Sequence, residues 1–174
     1  EDDFFDDVDI ICFPGGIGDV SSFTSLTKVN KDKIRRFVED GGRYLGICMG
    51  AYWASDEYFG FLNNITIEQY ITRPNTDTRR PHAKNMPVIW NGINDKMFFY
   101  DGCSIIGDES KVKVVSRYKN GDPMAIIQGR VGLIGCHPES TEKWYQRKYM
   151  QKHWHHGVHH ELLLKFVKRL MRAK

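Results

Sequence analysis

Tyr44-Leu45-Gly46-Ile47-Cys48-Met49-Gly50-Ala51-Tyr52 is the stretch that decides how this chain folds. Tyr44 to Ile47 is a short apolar run of the kind that forms a buried strand. Ala51-Tyr52-Trp53-Ala54-Ser55 opens a helical pattern, so Cys48 falls at the join. Gly46 and Gly50 on either side permit a tight, strained turn and a close approach of strand and helix, the role that glycines play around the serine of a nucleophile elbow. A thiol at that turn would meet the free N–H groups and positive end of a helix, which favour the attacking thiolate.

A thiolate that attacks a carbonyl needs a base to hold the proton and a carboxylate to orient that base. His137-Pro138-Glu139, at the far end of the chain, supplies both. If Gly135-Cys136-His137 closes a strand, side chains at i and i+2 point to one side, and Glu139 reaches the His137 ring. Taken singly, Cys48 reads as a small buried residue and His137 as a loop histidine. The two contexts together favour a nucleophile site.

Outward from the elbow, the pattern alternates. Val8 to Phe13 reads as a strand ending in the loop Pro14-Gly15-Gly16-Ile17-Gly18, and Lys31 to Asp40 as a helix stopped by Gly41-Gly42. Strand, helix, strand, helix is the order of a parallel sheet covered on both faces. The middle of the chain holds short strand-like runs at Ile65 to Ile71, Val88 to Trp90, Met97 to Tyr100, Val112 to Tyr118 and Met124 to Gln128. Asn91-Gly92, Asp101-Gly102 and Asn120-Gly121 punctuate them, which predicts an antiparallel extension of the sheet. Arg130 to Cys136 returns to a buried parallel strand, with His137 at the edge where open α/β sheets gather their ligands. Glu161 to Ala173 carries Leu163, Phe166, Val167 and Leu170 as one helical stripe. The glycines of the Pro14 loop free backbone N–H groups at that same edge. Gly15 or Gly16 with Met49 would then form an oxyanion hole, each donor giving about 3 kcal/mol; a plain tight turn is the simpler reading of that loop alone.

At 174 residues, 41% hydrophobic and 27% charged, the chain reads as a single globular domain. A net charge of +3 is too small to imply nucleic acid, and no apolar run is long enough to span a membrane. Four cysteines without a pairing pattern suggest a reducing, cytoplasmic setting, with Cys12, Cys103 and Cys136 as structural residues. The run His153-Trp154-His155-His156-Gly157-Val158-His159-His160-Glu161 would, on a helix, place His155 with His159 and His156 with His160 at a zinc-chelating i, i+4 spacing. A polar helix interrupted by Gly157 explains it as well. A cysteine mechanism needs neither metal nor cofactor, and none is expected.

Phe13-Pro14-Gly15-Gly16, the stretch Gly42 to Tyr52 and Gly135-Cys136-His137-Pro138-Glu139 resemble, in this order, the class I glutamine amidotransferase-like superfamily. Gly50-Ala51-Tyr52, Phe99-Tyr100-Asp101-Gly102 and Ser116-Arg117-Tyr118 leading to Pro123-Met124-Ala125 resemble most the branch found at the N-terminus of biotin-protein ligases and in stand-alone relatives. The resemblance spans about Val8 to Ser140. It implies a flavodoxin-like three-layer fold and a Cys48, His137, Glu139 triad. Nothing in the chain resembles the ligase's catalytic module. Tyr52 stands where glutaminases of the superfamily carry the glutamine that helps hold substrate, so the resemblance does not extend to glutamine as the substrate. The family also has a first strand and helix ahead of the Val8 strand. Their apparent absence leaves a strand edge for a protein partner or a second copy to cover.

Three functions follow as expectations. The first is a cysteine-dependent amidase or amidotransferase-like hydrolase acting on a small-molecule or peptide amide, with Tyr52 in the substrate pocket. The others are a binding or regulatory module without turnover and, least favoured, a histidine-rich metal-binding protein.

Overall fold

A computed structural model describes residues 5–16, 20–28 and 30–174. Ile17 and Gly18 of the glycine loop lie outside the described residues. A seven-stranded sheet runs in the order β1 (Ile10–Phe13), β2 (Arg43–Ile47), β9 (Val131–Ile134), β8 (Pro123–Gln128), β7 (Lys113–Tyr118), β4 (Lys84–Trp90), β5 (Ile93–Phe99). The first three strands are mutually parallel and the rest pair antiparallel. The expected parallel portion and antiparallel extension are both present, and the extension is the larger. Asn91 and Gly92, both at positive φ (48° and 81°), turn β4 into β5, the backbone demanded by the tight hairpin that Asn-Gly favours.

Two strands depart from the expected extension. The run beginning at Ile65 ends as strand at β3 (Ile65–Gln69), and β3 pairs antiparallel with β6 (Cys103–Gly107) in a separate two-stranded sheet. The sequence reading missed β6, whose Cys103 to Ile105 are buried. Asp101-Gly102 is therefore a crossing from one sheet to the other and not a hairpin. Gly102 is needed there because a Cβ would overlap the Gly135 carbonyl.

Alternation along β2 and β9 assigns the two faces. Leu45, Ile47 and Ile134 face a core that contains Phe166 and Leu170 of α4 (Val158–Arg172), while Tyr44, Val131 and Leu133 face Phe23, Ile34, Val38 and Trp53. The latter side is covered by α1 (Val20–Thr27) and α2 (Lys31–Glu39), which completes three layers. Trp53, Tyr44 and Phe59 are fully buried, each stabilising the fold by about 1.5–3 kcal/mol through removal from water. β1 is the terminal strand of the sheet among the described residues, and Cys12 on it is exposed, against the reading of Cys12 as a packed structural residue. Cys103 and Cys136 are buried, and all four cysteines are free. No helix among the described residues is long and apolar enough to cross a membrane.

Candidate active site

The parallel strands β1, β2 and β9 end side by side, Phe13 opposite Gly46 and Ile47 opposite Ile134. The segments that follow them therefore emerge at one edge: Pro14-Gly15-Gly16 after β1, Cys48 after β2, and His137 three residues beyond β9. Cys48 is pinned by its own N–H, which donates to the Ile134 carbonyl at 2.8 Å. Its backbone is at φ 49° and ψ −101°, a conformation that a residue with a Cβ avoids.

The glycines around Cys48 are required by contact. A Cβ at Gly46 would overlap the Gly50 carbonyl, and one at Gly50 would overlap the carbonyl of Phe13. The helix after the elbow is shorter than the sequence suggests. α3 is only Met49–Tyr52, because from Trp53 onward the chain turns to bury Trp53, Ala54 and Phe59 against Phe13, Phe23 and Tyr44. One turn of helix has little macrodipole, so its field gives the thiol less help than a long helix would. Met49, as the first helical residue, has an N–H without an acceptor inside the helix.

His137 and Glu139 meet: Nδ1 lies 2.7 Å from Oε1 of Glu139. The His137 backbone N–H donates to the Phe98 carbonyl at 2.8 Å, which fixes the ring's position. Burial opposes charge on this ring, but Cys48 and then Glu139 outweigh it and push its pKa up to about 10. The ring is thus held toward its protonated form by the groups on either side of it. In the resting arrangement the Cys48 Sγ also lies 3.4 Å from the Tyr100 carbonyl, which accepts from it.

The glycine loop sits against both partners. A Cβ at Gly15 would overlap the His137 ring, and one at Gly16 would stand 3.2 Å from the Met49 sulfur. Gly15, Gly16, Met49, Cys48, His137 and Glu139 thus share one edge of the sheet. Tyr52 is held away from a free role, its hydroxyl donating to the Asp101 carbonyl at 3.0 Å. Burial, then Cys103, Asp101 and Cys48, all disfavour its ionisation, so it works here as a neutral donor. The Asp101 carboxylate accepts from Gln69 Nε2 at 3.2 and 3.1 Å.

Sequence reasoning missed two groups. Phe98 and Trp144 stand edge-on to His137, with centroids at 5.8 and 5.1 Å. Trp144 belongs to a short 3-10 turn, Glu142–Tyr145, that no periodicity announces. The second group explains the histidine run. His155 Nε2 and His160 Nε2 lie 3.0 and 2.9 Å from the Ser140 carbonyl, next to Glu139. His155 Nδ1 accepts from the N–H groups of Gly157 and His159, so its proton is on Nε2 and it caps the start of α4. Burial, followed by His159 and His160 and against its bond to Ser140, lowers its pKa to about 4. His159 Nε2 lies 3.1 Å from Asp95 Oδ2. The continuous helix on which His155 with His159 and His156 with His160 would stand as i, i+4 pairs does not form. His156 and Gly157 are at positive φ, α4 begins only at Val158, and no metal-holding cluster exists among the described residues. These histidines fasten the loop that carries Glu139.

A cavity of about 390 Å³ opens at the other end of the same strands, between Arg35, Glu39, Phe61 and Arg130. Arg130 precedes β9 whereas His137 follows it, so this cavity is remote from the thiol.

Comparison with known proteins bears on the fold. Residues 2–68 match the family described as the N-terminal domain of biotin-protein ligases. The biotin-protein ligase of Schizosaccharomyces pombe is 29% identical over 160 residues, covering 75% of this chain. The chain spans 25% of that relative's length. A glutamine amidotransferase from Thermotoga maritima superposes with a TM-score of 0.67 over 95% of this chain and 79% of its own, at 11% identity. A second glutamine amidotransferase structure gives 0.59 over 83% and 78%, at 21% identity. The fold is thus similar to that of the class I glutamine amidotransferases. His137 and Glu139 lie beyond the segment matched to the ligase family.

Proposed function

We propose that this amidotransferase-like domain is a cysteine-dependent amidase or amidotransferase-like hydrolase that acts on a carboxamide through Cys48, His137 and Glu139. The observation that carries the reading is the 2.7 Å contact of His137 Nδ1 with Glu139 Oε1 at the sheet edge where a strained elbow holds the Cys48 thiol out of regular structure. In the proposed reaction the Cys48 thiolate forms a bond to the carbonyl carbon and the carbonyl electron pair moves to oxygen. The N–H of Met49 and an N–H of Gly15 or Gly16 stabilise that oxyanion by about 3 kcal/mol each. Imidazolium His137 gives its proton to the leaving nitrogen as the C–N bond breaks, leaving a thioester and a free amine or ammonia. His137, now neutral, takes a proton from water, the hydroxide adds to the thioester, and the carboxylic acid departs as the thiolate re-forms beside imidazolium, the acid then losing its proton to solvent or to the released amine. Glu139 keeps the ring oriented and offsets its charge throughout.

A binding module without turnover is the second reading, favoured by one contact: the resting Cys48 thiol is engaged with the Tyr100 carbonyl. Iodoacetamide labelling separates the two. Cys12 is the internal reference, an exposed residue whose thiol is shielded and lies near Glu139, which pushes its pKa up to about 11. Selective labelling of Cys48 that is lost in His137→Ala is expected, followed by ammonia release from an amide panel that is lost in Cys48→Ala. Labelling of Cys48 no faster than Cys12 would sink the hydrolase reading.

A further inference from the structure

Among the described residues, the large apolar side chains exposed at the surface fall into two groups. Val8, Ile89, Ile93, Val158 and Leu164 are aliphatic, whereas Tyr100 (54% exposed), Trp144 (39%) and Tyr149 (51%) are aromatic. Tyr100 and Trp144 border the thiol site. The Tyr100 carbonyl accepts from Cys48, and the Trp144 ring stands 5.1 Å from His137 and 5.1 Å from Phe98. Tyr149 donates to the Ala83 carbonyl at 2.9 Å, two residues from Pro81, whose carbonyl holds the Asp101 N–H at 2.8 Å. Single exposed apolar residues are ordinary. Exposed aromatics beside the thiol and its imidazole offer a surface that a ligand would cover.

We propose that Trp144 and Tyr100 form the acyl subsite of this centre, and that the substrate is a carboxamide with a flat apolar body, of the arylalkyl type. The proposal rests on the amidase reading for its chemistry but makes a separate binding claim. The acyl group is the part assigned to the shelf because it becomes bonded to Cys48, beside Tyr100.

The test uses Cys48→Ala protein, which binds without turnover, titrated with phenylacetamide, acetamide and glutamine. Affinity is read by calorimetry and by tryptophan emission, with Cys48→Ala/Trp144→Phe identifying the part of the signal due to Trp144. Phenylacetamide is expected to bind about tenfold more tightly than acetamide or glutamine, the scale of burying one aromatic ring. Trp144→Ala should weaken it by about tenfold, and Trp144→Phe by about threefold or less, because a flat ring remains. Equal affinity for the three amides, no measurable phenylacetamide binding, or indifference to Trp144→Ala would overturn the subsite. The same ligands given to the unmutated protein test the chemistry separately. Binding through Trp144 without ammonia release would overturn the hydrolase reading and leave the subsite standing.

Discussion

Strain at Cys48 can be weighed by replacing the residue twice. The backbone at φ 49° and ψ −101° stores roughly 1–3 kcal/mol when the residue carries a Cβ. Cys48→Ala keeps that strain and Cys48→Gly releases it. Glycine instead loses about 0.4–1 kcal/mol through the greater freedom of the unfolded chain, and about 0.8 kcal/mol for the missing buried methyl. With central values, glycine at 48 is more stable than alanine by about 0.5 kcal/mol, opposite to the usual order. Ala51, three residues on, is fully buried in α3 and is not among the residues at positive φ, so it supplies the reference. Ala51→Gly should cost about 1.5 kcal/mol, since no strain is released there. The difference of about 2 kcal/mol between the two alanine-to-glycine changes is the strain itself. Urea unfolding of Cys48→Ala, Cys48→Gly and Cys48→Ala/Ala51→Gly measures it directly. If glycine costs as much at 48 as at 51, the elbow is unstrained and the geometric argument for a held thiol fails.

Further outcomes are expected. The pKa of His137 is raised from 6.5 to about 10, so its contribution to stability is full below pH 6.5 and is lost as pH rises through 10; in Cys48→Ala, which removes the largest raising cause, urea midpoints should begin to fall at lower pH. An unchanged alkaline profile in that variant would contradict the pairing. His155 is the reverse case: its pKa is lowered to about 4, so its contribution is present above pH 6.5 and is lost as pH falls toward 4. His155→Ala should therefore flatten the acid limb of stability and cost about 1–3 kcal/mol at neutral pH by leaving buried N–H groups unpaired, whereas His160→Ala should cost about 0.5–1.5 kcal/mol. Hydrogen exchange across residues 139–160 would locate the loss. Gly15→Ala places a methyl group on the His137 ring, and displacing the base should slow iodoacetamide labelling of Cys48 by roughly 100-fold. Labelling at the unmutated rate would show that the loop does not seat the ring.

How much of this was legible in the sequence varied by element. Asn91-Gly92 could be read as a hairpin because the dipeptide itself prefers positive φ. Asp101-Gly102 has the same appearance yet crosses between sheets, because the overlap that demands Gly102 is with Gly135, 33 positions away. The helix after Cys48 was over-extended because Trp53 and Phe59 follow a tertiary demand for burial that no local period encodes. The histidine run suggested chelation on a helix, but two residues at positive φ place the helix start inside the run and turn the rings toward Ser140.

The sequence by itself determined the α/β order, the glycine-framed turn at Cys48 and the spacing that lets Glu139 reach His137, since each depends on neighbours a few residues apart. Only the tertiary structure decided that the thiol, the imidazole and the glycine loop occupy one edge. It alone also placed Trp144 beside His137 and tied Ser140 to the start of α4. Such meetings join residues tens of positions apart, and parallel strand register, together with the exclusion of overlapping atoms, selects them.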